Sequence, residues 1–296
     1  MAIPKGTELR VALAQMRCSE APGENLRRAV ELVRQAAGRG AHVVCLPELF
    51  RTRYFCQREV PELFDLAESI PGPTTDALAR AAAAAQVAVI GSVFERRAAG
   101  LYHNTAVVLH ADGTLAGVYR KLHIPHDPLY FEKYYFTPGD LGVRVFTVSD
   151  WNISVLVCWD QWFPEAARLA ALSGAELLLY PTAIGWHPQE KREHGADQYS
   201  AWQTIQRAHA IANGLFVAAC NRVGTEDNLE FWGGSFACDP FGRVLSQASH
   251  EQEEVLLFEC NRQAIEETRR HWPFLRDRRI DAYDGLLKRY RGDEFL

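Results

Sequence analysis

Three residues able to perform acyl transfer stand where apolar runs of the sequence end. Glu48 follows Val43-Val44-Cys45-Leu46, with Pro47 between. Lys121 closes the run 115–120 and is followed by Leu122-His123. Cys158 ends Ile153-Ser154-Val155-Leu156-Val157, and Pro164 opens a helical pattern soon after. A carboxylate at the mouth of a buried strand is partly desolvated, which suits it to take and return a proton. A lysine there sets a fixed positive charge against an oxyanion. A thiol on a strand–turn–helix junction is lifted clear of its sheet, as a hydrolase serine is on its elbow. A helix N-terminus and a lysine close by favour the thiolate, and the N–H of Trp159 is free for an oxyanion. Singly, each has a plainer reading as a solvated loop acid, a solvated strand-end lysine or an inert core thiol.

The elements that would hold these residues follow from periodicity. Continuous or alternating apolar runs predict strands over 9–15, 43–46, 87–94, 105–110, 114–120, 143–148, 153–157, 176–180, 215–221, 236–238, 244–246 and 255–259. Helices are predicted over 25–37, where Leu26, Ala29, Val30, Val33, Ala36 and Ala37 share a face, and over 73–86, 164–173 and 196–212. Thr74 or Thr75 is placed to cap the second of these. Asp112-Gly113 marks a hairpin, as does Asp239-Pro240-Phe241-Gly242. Helices alternating with this many strands predict an α/β layered fold of two sheets packed together. No repeat or linker interrupts the chain, so 1–296 reads as a single domain, with a core over about 9–260 and a charged tail over 261–296.

Composition removes several classes of function. At 48% hydrophobic and 23% charged residues the chain is neither disordered nor fibrous. A formal net charge of −5 with interspersed signs opposes a nucleic-acid partner. The run Arg269, Arg270, Arg276, Arg278 and Arg279 has acids among it and reads as a solvated or subunit-contact surface. No apolar stretch suits a secretory leader or a membrane span, so a cytoplasmic location and no membrane partner are expected. Seven cysteines without a C-x-x-C pair oppose a disulfide framework or a zinc site, and His123, His126 and His187 have no zinc spacing.

Read together, the three segments are far more specific. Cys45-Leu46-Pro47-Glu48-Leu49-Phe50, Tyr119-Arg120-Lys121-Leu122-His123 and Val157-Cys158-Trp159-Asp160-Gln161-Trp162-Phe163-Pro164-Glu165 resemble, in order and separation, the signature segments of the nitrilase (carbon–nitrogen hydrolase) superfamily. The resemblance runs from Val11 to about Arg279. It implies a four-layer αββα sandwich with two mixed sheets face to face. It also implies Glu48 as general base, Lys121 as oxyanion stabiliser, Cys158 as nucleophile and Glu132 as a supporting glutamate. It implies no cofactor and no metal, and pairing through the helices and tail around the cysteine elbow, hence a homo-oligomer.

Within the superfamily, 126–136, 158–165 and Pro181-Thr182-Ala183-Ile184-Gly185-Trp186 resemble members that hydrolyse N-carbamoylputrescine to putrescine, carbon dioxide and ammonia in polyamine synthesis. A small-molecule substrate with a distal ammonium requires a carboxylate or carbonyl cluster, because an unpaired buried cation is costly. Asp127, Glu190, Glu193 and Asp197 are the candidates. Tyr130, Trp159, Trp162, Trp186 and Trp202 are candidate aromatic walls, with Asp160 beside them, although core packing explains such residues equally well. The rivals are a β-ureidopropionase or ω-amidase, whose substrates carry a carboxylate and call for an arginine, a silent binding protein on the same fold, and a redox-sensing thiol protein.

Overall fold

Glu48 and Cys158 both follow central, parallel strands of separate sheets. The structure, a computed structural model, describes residues 7–292; the outermost parts of the expected single unit, 1–6 and 293–296, lie outside the described residues. The first half runs β1 (Glu8–Gln15), α1 (Pro22–Gly38), β2 (Val43–Cys45), α2 (Pro73–Ala85), β3 (Ala88–Ala98), β4 (Leu101–Leu109), β5 (Leu115–Arg120) and the single turn α3 (Glu132–Tyr135). The second half runs β6 (Val145–Val148), β7 (Trp151–Val155), α4 (Pro164–Leu172), β8 (Leu177–Thr182), β9 (Gly185–Trp186) and α5 (Pro188–Asn213). It ends with β10 (Phe216–Asn221), β11 (Val223–Glu226), β12 (Leu229–Trp232), β13 (Phe236–Cys238), β14 (Val244–Gln247), β15 (Glu254–Asn261) and α6 (Arg262–His271).

Two six-stranded sheets have the orders β15-β1-β2-β3-β4-β5 and β14-β13-β10-β8-β7-β6. In each, three central strands are parallel and the flanking pairs antiparallel. The continuous apolar runs are explained by burial on both faces. Val11, Leu13, Val43, Cys45, Ile90 and Val108 point toward the second sheet. Their neighbours Ala12, Ala14, Val44, Val89 and Val107 pack under α1 and α2 with Leu32, Val33, Leu78 and Ala82. The period of two that separates these sets is the strand's own. Helices α4 and α5 cover the far side of the second sheet through Ala167, Ala170, Trp202 and Ala210. The result is the expected αββα layering.

Several boundaries differ from the periodicity. Strand β3 continues to Ala98 because Glu95 and Arg96 pair with His103 and Tyr102 of β4. Glu95 is buried against Arg120, so its charge masks a strand. Helix α1 starts at Pro22, a residue suited to a first turn, rather than at 25. Helix α2 is capped by Thr75, whose Oγ1 accepts from the Gly72 N–H at 2.6 Å, while the Glu68 carboxylate takes the Thr74 N–H at 2.7 Å. Helix α5 begins at Pro188 rather than 196; its first turns are solvent-exposed and lack an apolar face to read. A three-stranded sheet, β11-β12-β9, had no strand signal. No helix among the described residues is long and apolar enough to cross a membrane.

Candidate active site

Glu48 leaves β2 into a loop held on all sides. Its N–H donates to the Thr182 carbonyl of the other sheet at 3.3 Å. Leu49 then takes a left-handed conformation, φ 48°, and its N–H is received by Ser92 Oγ at 3.1 Å. Such a backbone persists in a non-glycine residue only where its surroundings enforce it. The Glu48 side chain is fully buried. Its Oε1 accepts from Asn104 Nδ2 at 2.6 Å and from Lys121 Nζ at 2.8 Å. Its Oε2 has no partner among the described residues, which leaves one lone-pair face for a proton in transit.

Lys121 follows β5 and is also fully buried. Besides Glu48, its ammonium donates to Glu132 Oε2 at 2.6 Å. Burial alone would depress its pKa, but Glu132 and Glu48 outweigh burial and hold it well above the ordinary value. Glu132 sits at the start of α3 and accepts from the Tyr54 hydroxyl at 2.7 Å. Burial, with Glu48 adding to it, pushes the Glu132 carboxyl up to about 7 against the pull of Lys121. Two carboxylates thus share one buried cation.

Cys158 stands at the end of the segment following β7, at φ 43°. A 3₁₀ turn, Cys158–Trp162, follows at once, and α4 begins only at Pro164. The N–H of Trp159 lies in the first turn, where such a helix supplies no acceptor. The Cys158 thiol makes one long contact, 3.8 Å to the Ala183 carbonyl. The expected pull toward the thiolate meets a larger opposing effect. Burial, reinforced by the Glu48 carboxylate, raises the thiol well above its ordinary pKa and outweighs Lys121. Such burial favours the thiol and calls for a base to activate it.

A cavity of about 470 Å³ opens over Cys158. Tyr130, Trp159 and Trp162 line it, with Trp232 from β12. Asp127 and Glu190 lie on its rim, and no lysine or arginine among the described residues lines it. The other expected contacts are corrected. Asp160 does not reach the cavity, because its buried carboxylate is taken by the N–H groups of Val157 and His123, by His123 Nδ1 and by the Tyr119 hydroxyl. Trp186 turns its indole N–H to the Gly195 carbonyl at 2.9 Å and props the start of α5. Glu193 is solvated beside His194, and Asp197 is exposed off the lining. Trp202 is fully buried, bonded to Gln161 Oε1. Among the described residues no three of His, Cys, Asp and Glu converge as metal ligands would.

Sequence reasoning missed Asn104, Tyr54 and Trp232. Asn104 lies inside an apolar strand, β4, and a polar residue fully buried there is the signal that marks it. Tyr54 and Trp232 sit in loops and in the small sheet, where nothing local distinguishes them from packing aromatics.

A cysteine on a strained strand end, a buried lysine and two glutamates within an αββα sandwich define a hydrolase of non-peptide C–N bonds, and comparison with known proteins agrees. The chain belongs to the carbon–nitrogen hydrolase family, whose sequence profile matches residues 10–270. It is 40% identical over 292 residues to the N-carbamoylputrescine amidase of Solanum lycopersicum, covering 96% of both chains. It is 37% identical to a citrullinase of Francisella tularensis, covering 95% of this chain and 99% of that one. The crystal structure of a carbon–nitrogen hydrolase from Helicobacter pylori G27 superposes with a TM-score of 0.93 at 46% identity, covering 96% of this chain and 100% of that one.

Proposed function

We propose that this protein hydrolyses N-carbamoylputrescine to putrescine, carbon dioxide and ammonia, with Cys158 as nucleophile. The observation that carries the substrate is the cavity lining. Above Cys158 the rim bears Asp127 and Glu190 and, among the described residues, no lysine or arginine, which suits an ammonium tail and opposes a carboxylate. The tomato relative acts on this compound by name, and the citrullinase on another carbamoylated amine.

In this reading Glu48 Oε2 takes the thiol proton as sulfur attacks the carbamoyl carbon. Lys121 Nζ and the Trp159 N–H receive the oxyanion. The C–N bond to putrescine breaks and Glu48 returns its proton to the leaving amine. Water then attacks the carbamoyl thioester, giving a proton to Glu48. The C–S bond breaks, the sulfur recovers that proton, and the released carbamic acid divides into carbon dioxide and ammonia. Glu132 holds Lys121 through a second ion pair at 2.6 Å, and Tyr130 and Trp159 flank the tetramethylene chain.

Two further features belong to the reading. Exposed Leu169 and Leu172 on α4, with Ile280, Leu286 and Leu287 in the tail, support a homo-oligomer through this face. Seven free cysteines support a reducing compartment such as the cytoplasm, and the shared core between the sheets supports one catalytic domain. The test is ammonia release from N-carbamoylputrescine, N-carbamoyl-β-alanine, citrulline and glutamine side by side. The reading expects the first to have the highest kcat/KM; preference for any carboxylate-bearing compound would overturn it.

A further inference from the structure

We propose that Arg222 is a positioning residue for the reaction: from behind the site its guanidinium sets the loop that carries Glu48 and Tyr54. This rests on the reading of Glu48 as the base. Arg222 follows β10 in one sheet, and the loop it grips leaves β2 in the other. Its side chain is fully buried. Nη2 donates to the Glu48 carbonyl at 2.7 Å and to the Leu49 carbonyl at 3.0 Å. Nη1 donates to the Thr52 carbonyl at 3.2 Å and to both oxygens of Glu226, at 2.9 and 2.8 Å. Glu226 in turn accepts the Tyr54 N–H at 2.7 Å. The loop 48–54 therefore wraps one guanidinium, directly at three carbonyls and through Glu226 at a fourth backbone group.

The loop requires such a grip. Leu49 holds a left-handed backbone, φ 48°, that a non-glycine residue keeps only where its surroundings enforce it. Its carbonyl is fixed by Arg222 and its N–H by Ser92, and Ser92 Oγ also donates to Asn104 Oδ1 at 2.9 Å. Asn104 is the amide that donates to Glu48 Oε1. At the other end of the loop the Tyr54 hydroxyl bonds Glu132, the second partner of Lys121. Backbone placement by Arg222 is thus passed to both carboxylates that flank the lysine, although Arg222 does not line the cavity over Cys158. A lysine supplies the charge but not the planar fork that reaches a carboxylate and three carbonyls at once.

The test compares Arg222→Lys, Arg222→Met combined with Glu226→Gln, and Glu48→Gln, with kcat and KM for N-carbamoylputrescine and thermal unfolding of each. Removing both charges together avoids an orphaned buried carboxylate and keeps an acceptor for the Tyr54 N–H. The double variant should fold yet lose about 10- to 100-fold in kcat, since a displacement near 1 Å costs on that order, with KM within about twofold. Arg222→Lys should fall between it and wild type. Wild-type kcat in both folded Arg222 variants, or a loss confined to KM or to the unfolded fraction, overturns the proposal. If the double variant does not fold, Arg222→Lys decides by the same split of kcat from KM. Glu48→Gln separates the two readings: an active Glu48→Gln refutes the base, whereas an inactive one beside active Arg222 variants refutes only the positioning.

Discussion

Asp160 Oδ1 lies 2.7 Å from His123 Nδ1 and also accepts the His123 N–H at 2.9 Å. This one carboxylate joins the elbow of Cys158 to the strand end of Lys121. Its other oxygen takes the Val157 N–H at 2.9 Å and the Tyr119 hydroxyl at 2.7 Å. Removing it orphans buried donors, each costing about 1–3 kcal/mol. Asp160→Ala is therefore expected to lower the unfolding free energy by several kcal/mol, read from the urea midpoint. An unchanged midpoint would show that the carboxylate does not hold the elbow.

Cys158→Ala should abolish turnover, by about 10⁴-fold or more in kcat, as loss of a covalent nucleophile does. Its thiol makes one long contact, so the circular dichroism spectrum and melting temperature should stay near wild type. A tenth of wild-type ammonia release in this variant would exclude the thioester path.

Glu132 predicts a pH dependence of stability. Its carboxyl is raised from 4.5 to about 7, chiefly by burial. Between those values the folded state binds more proton than the unfolded state, so the contribution is present below about 4.5 and is lost as pH rises toward 7. Relative to Glu132→Gln, wild type should lose stability over this interval and run parallel above it. Melting temperatures of both proteins from pH 5 to 8 check the sign; a rising wild-type advantage would contradict it.

The acidic rim predicts a charge effect on binding rather than on chemistry. Asp127 and Glu190 are solvent-exposed, where a pair contributes about 0.2–1 kcal/mol, so Asp127→Asn and Glu190→Gln should each raise KM up to about fivefold. Hydrolysis of an uncharged alkylurea of equal length should be unaffected. Added salt should raise the wild-type KM and leave that of the double variant flat. Equal effects on charged and uncharged substrates would remove the rim from recognition.

Leu169→Glu with Leu172→Glu should reduce the mass measured by light scattering, because both side chains are half exposed on α4. An unchanged mass would place the subunit contact elsewhere.

Glu48 and Cys158 could be singled out because each follows a strand whose apolar run is continuous, Lys121 because it closes a strand, and Glu132 only through the family resemblance. The double-faced burial of β2 was legible for the same reason. What stayed hidden depends on contacts distant in sequence. Glu95 read as a strand terminator because its partner Arg120 lies in another strand. Asp160 read as a cavity residue because nothing local shows that four donors converge on it. The exposed start of α5 has no apolar stripe, so Glu190 on the rim could not be ranked above Glu193, which the fold leaves in solvent.

The buried thiols have a practical consequence. Of seven free cysteines, Cys158 alone borders the cleft that carries Asp127 and Glu190. An electrophilic amide bearing a short aminoalkyl arm should act as an affinity label, drawn by the rim to a single sulfur. Because burial and Glu48 hold that thiol's pKa up, the rate of labelling would report how well Glu48 activates it, so the readiness of the base becomes visible by intact mass without any turnover.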